Sequence, residues 1–188
     1  MRALGTVILA GVLLLLASGY ISGQAKAAKV FLLEDTRSNQ WCAYNNEAPW
    51  NTAVQDAGAM TVATLTYSDD RLSQIDVTET DESGDWTVFD HYFLNNRRQI
   101  VRLSRMINVL PGDRSVVQTF SISDEKATKT ETTMKQLSTG KPLTSPKPVW
   151  LPDLAIRTEK RMFPFFPLLG RADLRTASKA CMPMSGRQ

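Results

Sequence analysis

The sequence predicts a mostly β fold: an antiparallel meander sheet, open or partly closed into a barrel, of about five to seven strands. One short helix and a proline-rich C-terminal arm complete it. Three observations carry that expectation. Five consecutive segments, residues 61–67, 72–79, 86–94, 99–109 and 115–123, are rich in Val, Ile, Thr and aromatic residues, the side chains that suit a half-buried pleated surface. The pieces between them are turn chemistry: Ser68-Asp69-Asp70, residues 81–85, Asn95-Asn96 and Pro111-Gly112-Asp113. Connections this short return the chain antiparallel, because a parallel return needs a long crossover.

The chain opens with Arg2 and an almost wholly apolar run, residues 3–17, in which only Thr6 is polar. Ala25-Lys26-Ala27 then fits the small-x-small pattern of signal-peptide cleavage, and Ala17-Ser18-Gly19 offers an earlier site. The run has the length of a signal core and falls short of the roughly 20 residues that span a bilayer. A retained anchor is the alternative, and the only membrane contact the sequence suggests. Residues 1–27 are thus expected to be a signal peptide, 28–140 the β-meander domain and 141–188 a wrapping arm of the same domain. The expected destination is a periplasm or the cell exterior.

With residues 1–27 removed, 20 basic and 19 acidic side chains remain, a net charge of +1 with the histidine neutral. Such a chain has no field with which to collect nucleic acid or an anionic membrane. The two cysteines, Cys42 and Cys181, lie near the two ends of the mature chain. In an oxidising compartment they are expected to pair. A redox or metal role is disfavoured, because neither has a third Cys or a His beside it.

Before the first of the five segments, residues 48–57 are expected to be helical. Trp50, Ala53, Val54 and Ala57 fall at helical spacing, Pro49 suits a first turn and Gly58 a C-terminal stop. The same residues could also open a strand. In segment 86–94, Trp86, Val88, Tyr92 and Leu94 alternate with Phe89, His91 and Phe93, which predicts a central strand covered on both faces. In segment 99–109, Val101, Leu103, Ile107 and Val109 share one face, with Arg105 intruding. Residues 127–137, rich in Thr, are expected to form a polar edge strand, with a helix as the other option. From Lys141 onward Pro146, Pro148, Pro152, Pro164 and Pro167 forbid regular helix or central strand. Exposed, the cluster of residues 162–169 would be a large apolar patch; laid over a sheet face, each Phe or Leu contributes roughly 1.5–3 kcal/mol.

Candidate sites are few. His91 is the only histidine, which argues against a zinc hydrolase. Its neighbour Asp90 cannot orient it, since adjacent strand residues point to opposite faces. The acidic stretch 79–85 lacks the spacing of a calcium loop and reads as a charged hairpin tip. Arg97, Arg98, Arg102, Arg105 and Arg114 could gather an anion, but ordinary cross-strand pairing with Asp76, Glu79, Asp85 and Asp113 is the expected use. Trp41, Trp50, Trp86 and Trp150 are expected to pack rather than to line a groove. With no nucleophile, base or metal constellation, the leading expectation is an exported non-catalytic domain, without cofactor or metal. It would bind a partner protein or small apolar ligand through Trp150, Phe163, Phe165, Phe166, Arg102 and Arg105. Two other classes remain: a carboxylate-dependent hydrolase using Asp81, Asp85 or Asp90 beside a groove, and a structural part of an envelope or surface assembly, marked by a long unpaired edge strand.

Overall fold

The structure is a computed structural model that describes residues 27–143 and 151–184. Apart from Ala27, the expected signal peptide lies outside the described residues, as does Trp150. Among the described residues there are nine strands: β1 (Ala28–Asp35), β2 (Gln40–Tyr44), β3 (Thr61–Ser68), β4 (Arg71–Thr80), β5 (Trp86–Leu94), β6 (Ile100–Val109), β7 (Arg114–Ser123), β8 (Lys126–Gln136) and β9 (Lys179–Pro183). They form one open antiparallel sheet in the order β8-β7-β6-β5-β4-β3-β1-β2-β9. The meander from β3 to β8 matches the sequence expectation, including the polar edge strand. The strand total is higher than expected because β1, β2 and β9 extend the sheet on the other side of β3.

Two of those strands, β1 and β9, were hidden for identifiable reasons. In β1, Val30, Phe31, Leu32 and Leu33 are all buried, so the strand shows a continuous apolar run rather than a period of two. β9 comes from the arm, where prolines argued against strand; its only proline, Pro183, stands at its last position on an edge, where a missing N–H costs no ladder bond on the open side. The β2–β9 ladder places Cys42 directly opposite Cys181. The two are disulfide-bonded with Cα atoms 4.1 Å apart, across a sequence separation of 139.

The two expected covers are both present, but on opposite faces. The helix α1 (Glu47–Ala57) starts at Asn46, whose side chain accepts from the Ala48 N–H at 3.0 Å, and stops at Gly58, left-handed at φ 57°. Its Trp50, Ala53, Val54 and Ala57 pack on Phe31, Leu33, Cys42 and Tyr44 of β1 and β2. Trp50 also donates from Nε1 to the Leu32 carbonyl at 3.1 Å. On the other face the arm brings Phe163, Phe165, Leu168 and Leu174 into the main core with Leu32, Trp41, Leu65, Ile75, Tyr92 and Leu103. A single-turn segment at Lys160–Met162, the short helix α2 (Phe166–Leu169) and a second turn at Ala172–Arg175 shape that arm.

Two expectations about faces need correction. Neither cover reaches the outward side of β5, so Phe89, His91 and Phe93 stay half-exposed there. Among the described residues that strand is covered on one side alone. In β6 the buried set is Ile100, Leu103, Arg105, Ile107 and Val109, while Val101 is exposed. The cause is a bulge: Phe93 pairs with Arg102 but Leu94 with Ile100, so Val101 has no partner and the alternation slips.

Candidate binding groove at the hairpin-tip end

The residues singled out from sequence separate into three environments. Phe163 and Phe165, expected on a surface, are 2% and 0% exposed. Phe163 meets the Tyr92 ring edge-on at 5.1 Å, and Phe165 packs 4.9 Å from the Trp41 ring. They hold the arm down rather than face a ligand. Arg105, also expected on a surface, is buried as well. Its guanidinium donates from Nε and Nη2 to the two carboxylate oxygens of Asp90, both at 2.7 Å, and from Nη1 and Nη2 to the carbonyls of Leu154 (2.8 Å) and Ala155 (3.2 Å). Tyr92 donates to Asp90 at 3.0 Å and accepts from the Arg157 N–H at 3.4 Å. Burial, with Asp90 close by, pushes the Tyr92 hydroxyl up to about 12. Arg157 completes the network on Glu79 at 2.6 Å. Arg105 intrudes on the apolar face because the arm's carbonyls need a donor there. Asp90 sits directly opposite it in the β5–β6 ladder. Two opposite charges interrupting the same apolar face of neighbouring strands was the available signal.

The expected arginine pairings with Asp76 and Glu79 are therefore replaced: Asp76 goes to His91 and Glu79 to Arg157. Arg102 lies on the outward face, over the Phe93 ring at 4.0 Å. Asp113 is taken by Gln136 and Ser138, whose hydrogen bonds hold its carboxyl below the usual range. Trp41, Trp50 and Trp86 all pack against core clusters, as expected.

The outward face brings together a set that sequence reading missed. Asp76, His91 and Ser104 are successive cross-strand neighbours on β4, β5 and β6. Asp76 Oδ1 accepts from Gln74 at 2.6 Å and lies 2.7 Å from His91 Nδ1. That hydrogen bond raises the imidazole pKa, against an opposing effect of partial burial. The residue types are those of an orienter, base and nucleophile. Yet no hydrogen bond joins Ser104 to His91 among the described residues, and the surrounding backbone N–H groups serve the sheet ladder, where they cannot stabilise an oxyanion. The pair is an ordinary cross-strand charge contact. Of the acids considered for hydrolysis, Asp81 and Asp85 share the β4–β5 turn and Asp90 lies within β5. Asp90 is in the buried network. Asp81 accepts from the Trp86 N–H at 3.0 Å and from Ser83, closing the β4–β5 turn. Asp85 gives its carbonyl to the Leu110 N–H.

One concavity stands out. The turns β3–β4, β5–β6 and β7–β8 lie at the same end of the sheet, as alternate turns of a meander must. Between the β5–β6 and β7–β8 turns and residues 158–166 of the arm lies a groove of about 750 Å³. A second lobe of about 300 Å³ lies toward the β3–β4 turn, with Tyr67, Leu72 and Leu169 in its wall. Arg98, Lys160 and Phe166 line both lobes. Phe166 is 42% exposed, which makes it the one member of the expected aromatic surface set that the described residues leave open to solvent. Asp124 and Glu125 occupy the β7–β8 turn at φ 49° and 61°. Glu125 and Glu159 face each other, which raises the Glu125 carboxyl, and both pair with Arg161. Asp70 is held by Arg175. Arg97, Arg98 and Lys160 have no ion-pair partner among the described residues.

Comparison with protein-family models, with curated proteins and with solved structures finds no match.

Proposed function

We propose that this chain is an exported, non-catalytic β domain that binds a partner at the groove on its hairpin-tip end. The observation that carries this reading is the shared wall of the two lobes, where Arg98, Lys160 and the exposed Phe166 stand together without charge partners. Unpaired cations beside an exposed ring are the combination that a polar ligand with an apolar part rewards. A ligand held inside the sheet is less well supported, because the arm's Phe163, Phe165, Leu168 and Leu174 already fill the face where an apolar molecule would sit. The leader-like first 27 residues and the Cys42–Cys181 disulfide favour export, since such bonds persist in oxidising compartments.

Mapping by NMR tests the site. A fragment library titrated into the isotopically labelled chain from Ala28 onward is expected to shift amide signals of Arg97, Arg98, Lys160 and Phe166 first. Hits gathering instead around Phe89, Phe93 and Met106 on the outward face would relocate the site and refute the groove.

A further inference from the structure

We infer that the groove takes an extended acidic segment of a partner protein, about six residues long and carrying an apolar side chain. This rests on the groove being the binding site and adds the class of partner. The charge balance comes first. Arg161 answers Glu125 and Glu159, and Arg175 answers Asp70. One guanidinium cannot neutralise two carboxylates, so what remains is Arg97, Arg98 and Lys160 against Asp124 and one carboxylate of the Glu125–Glu159 pair, an excess of one cation, with Arg98 and Lys160 standing where the two lobes join. The attraction is therefore local and short-ranged, confined to about a Debye length of 8–10 Å in ordinary salt.

The shape selects a strand-like occupant. From the β3–β4 turn to the β7–β8 turn is four strand spacings, about 19 Å at ~4.8 Å each, which an extended peptide of about six residues spans at ~3.3 Å per residue. The two lobes meet over Phe166, so an apolar side chain placed mid-segment would lie against that ring, with Tyr67, Leu72 and Leu169 beyond it. Carboxylates on either side of it would reach Arg98 and Lys160. A polyphosphate fits less well, because Asp124, Glu125 and Glu159 line the same groove and repel a uniform run of negative charge, whereas a peptide can vary its charge along its length. At the β7–β8 end, beside Asp124, the segment should carry a neutral or basic residue.

The walls are set before binding. Residues 159–168 are tied by consecutive turn hydrogen bonds, Met162 to Glu159 (3.1 Å), Phe163 to Lys160 (3.1 Å), Phe166 to Phe163 (2.9 Å) and Leu168 to Phe165 (2.9 Å). Beneath them the buried Phe163 and Phe165 fix the segment to the sheet. At the far end Arg175 joins Asp70 and lies 5.4 Å from the Tyr67 ring centre. A groove already shaped avoids the ordering cost that weakens flexible sites.

A random octapeptide library displayed on phage, selected against the disulfide-intact chain from Ala28 onward, tests the proposal. Enriched sequences are expected to combine Asp or Glu with one large apolar residue. Synthetic versions should lose affinity at least tenfold in Arg98→Glu/Lys160→Glu and in Phe166→Ala, and should weaken as salt rises from 50 to 300 mM. All three altered side chains are at the groove surface, and an unchanged melting midpoint checks that each variant is folded. Enriched peptides that are neutral or basic yet still depend on Phe166 would overturn the acidic class and leave the groove standing. Peptides indifferent to all three substitutions would overturn the groove as well. An unenriched library would overturn peptide binding, with the fragment map then deciding the groove on its own.

Discussion

Asp90 and His91 are neighbours in β5, and each makes an ion pair with a residue directly opposite on the next strand, yet the two pairs do different work. Asp90 and Arg105 have side chains 3% and 5% exposed, under the arm, with both carboxylate oxygens and four of the five guanidinium N–H donors committed. His91 and Asp76, on the other face, are 44% and 27% exposed. The contrast shows that coverage, not pairing, decides what a charge contact is worth here. A buried pair is costly to break because the surviving charge stays out of water. A wet one returns its partner to solvent at little loss.

The largest expected effect breaks the covered side. Arg105→Ala leaves the Asp90 carboxylate buried beside Leu154 and Ala155, whose carbonyls also lose their donor. A cost of about 3–5 kcal/mol is expected in urea unfolding. The pair replacement Asp90→Leu/Arg105→Met should cost less than the single change, because no charge is stranded. Near-wild-type stability of Arg105→Ala would mean that the arm does not seal this face.

Next in size is the other anchor of the arm. Cys42→Ala/Cys181→Ala should lower stability by about 2–4 kcal/mol through the unfolded state. β2 lies three strand spacings from β4, where Arg157 binds Glu79, about 14 Å at ~4.8 Å each. The loss should therefore add to that of a milder change at the network, such as Arg157→Met, within about 0.5 kcal/mol. A strongly non-additive result would show the sulfur clasp and the polar network acting as one unit.

Much of this division was legible beforehand, and the rest has physical causes. Alternation within 86–94 correctly put Asp90 and His91 on opposite faces, and the turn chemistry placed β3 to β7 in order. Both cysteines were read as partners. What alternation could not convey was coverage. Phe89 and Phe93 suggest a second buried face, but among the described residues nothing packs over that side of β5, where Arg102 shields one ring. Composition predicts that the apolar cluster 162–169 lies over the sheet, but it cannot separate its members: α2 and the preceding turn send Phe163 and Phe165 inward and Phe166 outward. The groove depends on three turns and an arm meeting at one end of the sheet, a long-range arrangement with no local spacing to announce it. Its basic side was nonetheless present in the Arg97-Arg98 pair.

The smallest effect sharpens the wet side, and it has a clean probe because His91 is the only histidine. Its imidazole signal should titrate above the ordinary histidine value of 6.5, since the hydrogen bond and charge of Asp76 favour the protonated ring more than partial burial opposes it. In Asp76→Asn the midpoint should move back down. The sign for stability follows from the raised value. The pair's contribution is fully present below the unfolded midpoint near 6.5 and disappears as pH rises through the higher folded one. For a ring this exposed the effect should be no more than about 0.2–1 kcal/mol. Asp76→Asn should thus destabilise the chain slightly at pH 5.5 and hardly at all at pH 9, provided the carboxamide keeps the Gln74 contact. A histidine titrating at or below 6.5 would mean that solvent already outcompetes Asp76, leaving the outward face with no ordered charge contact around His91.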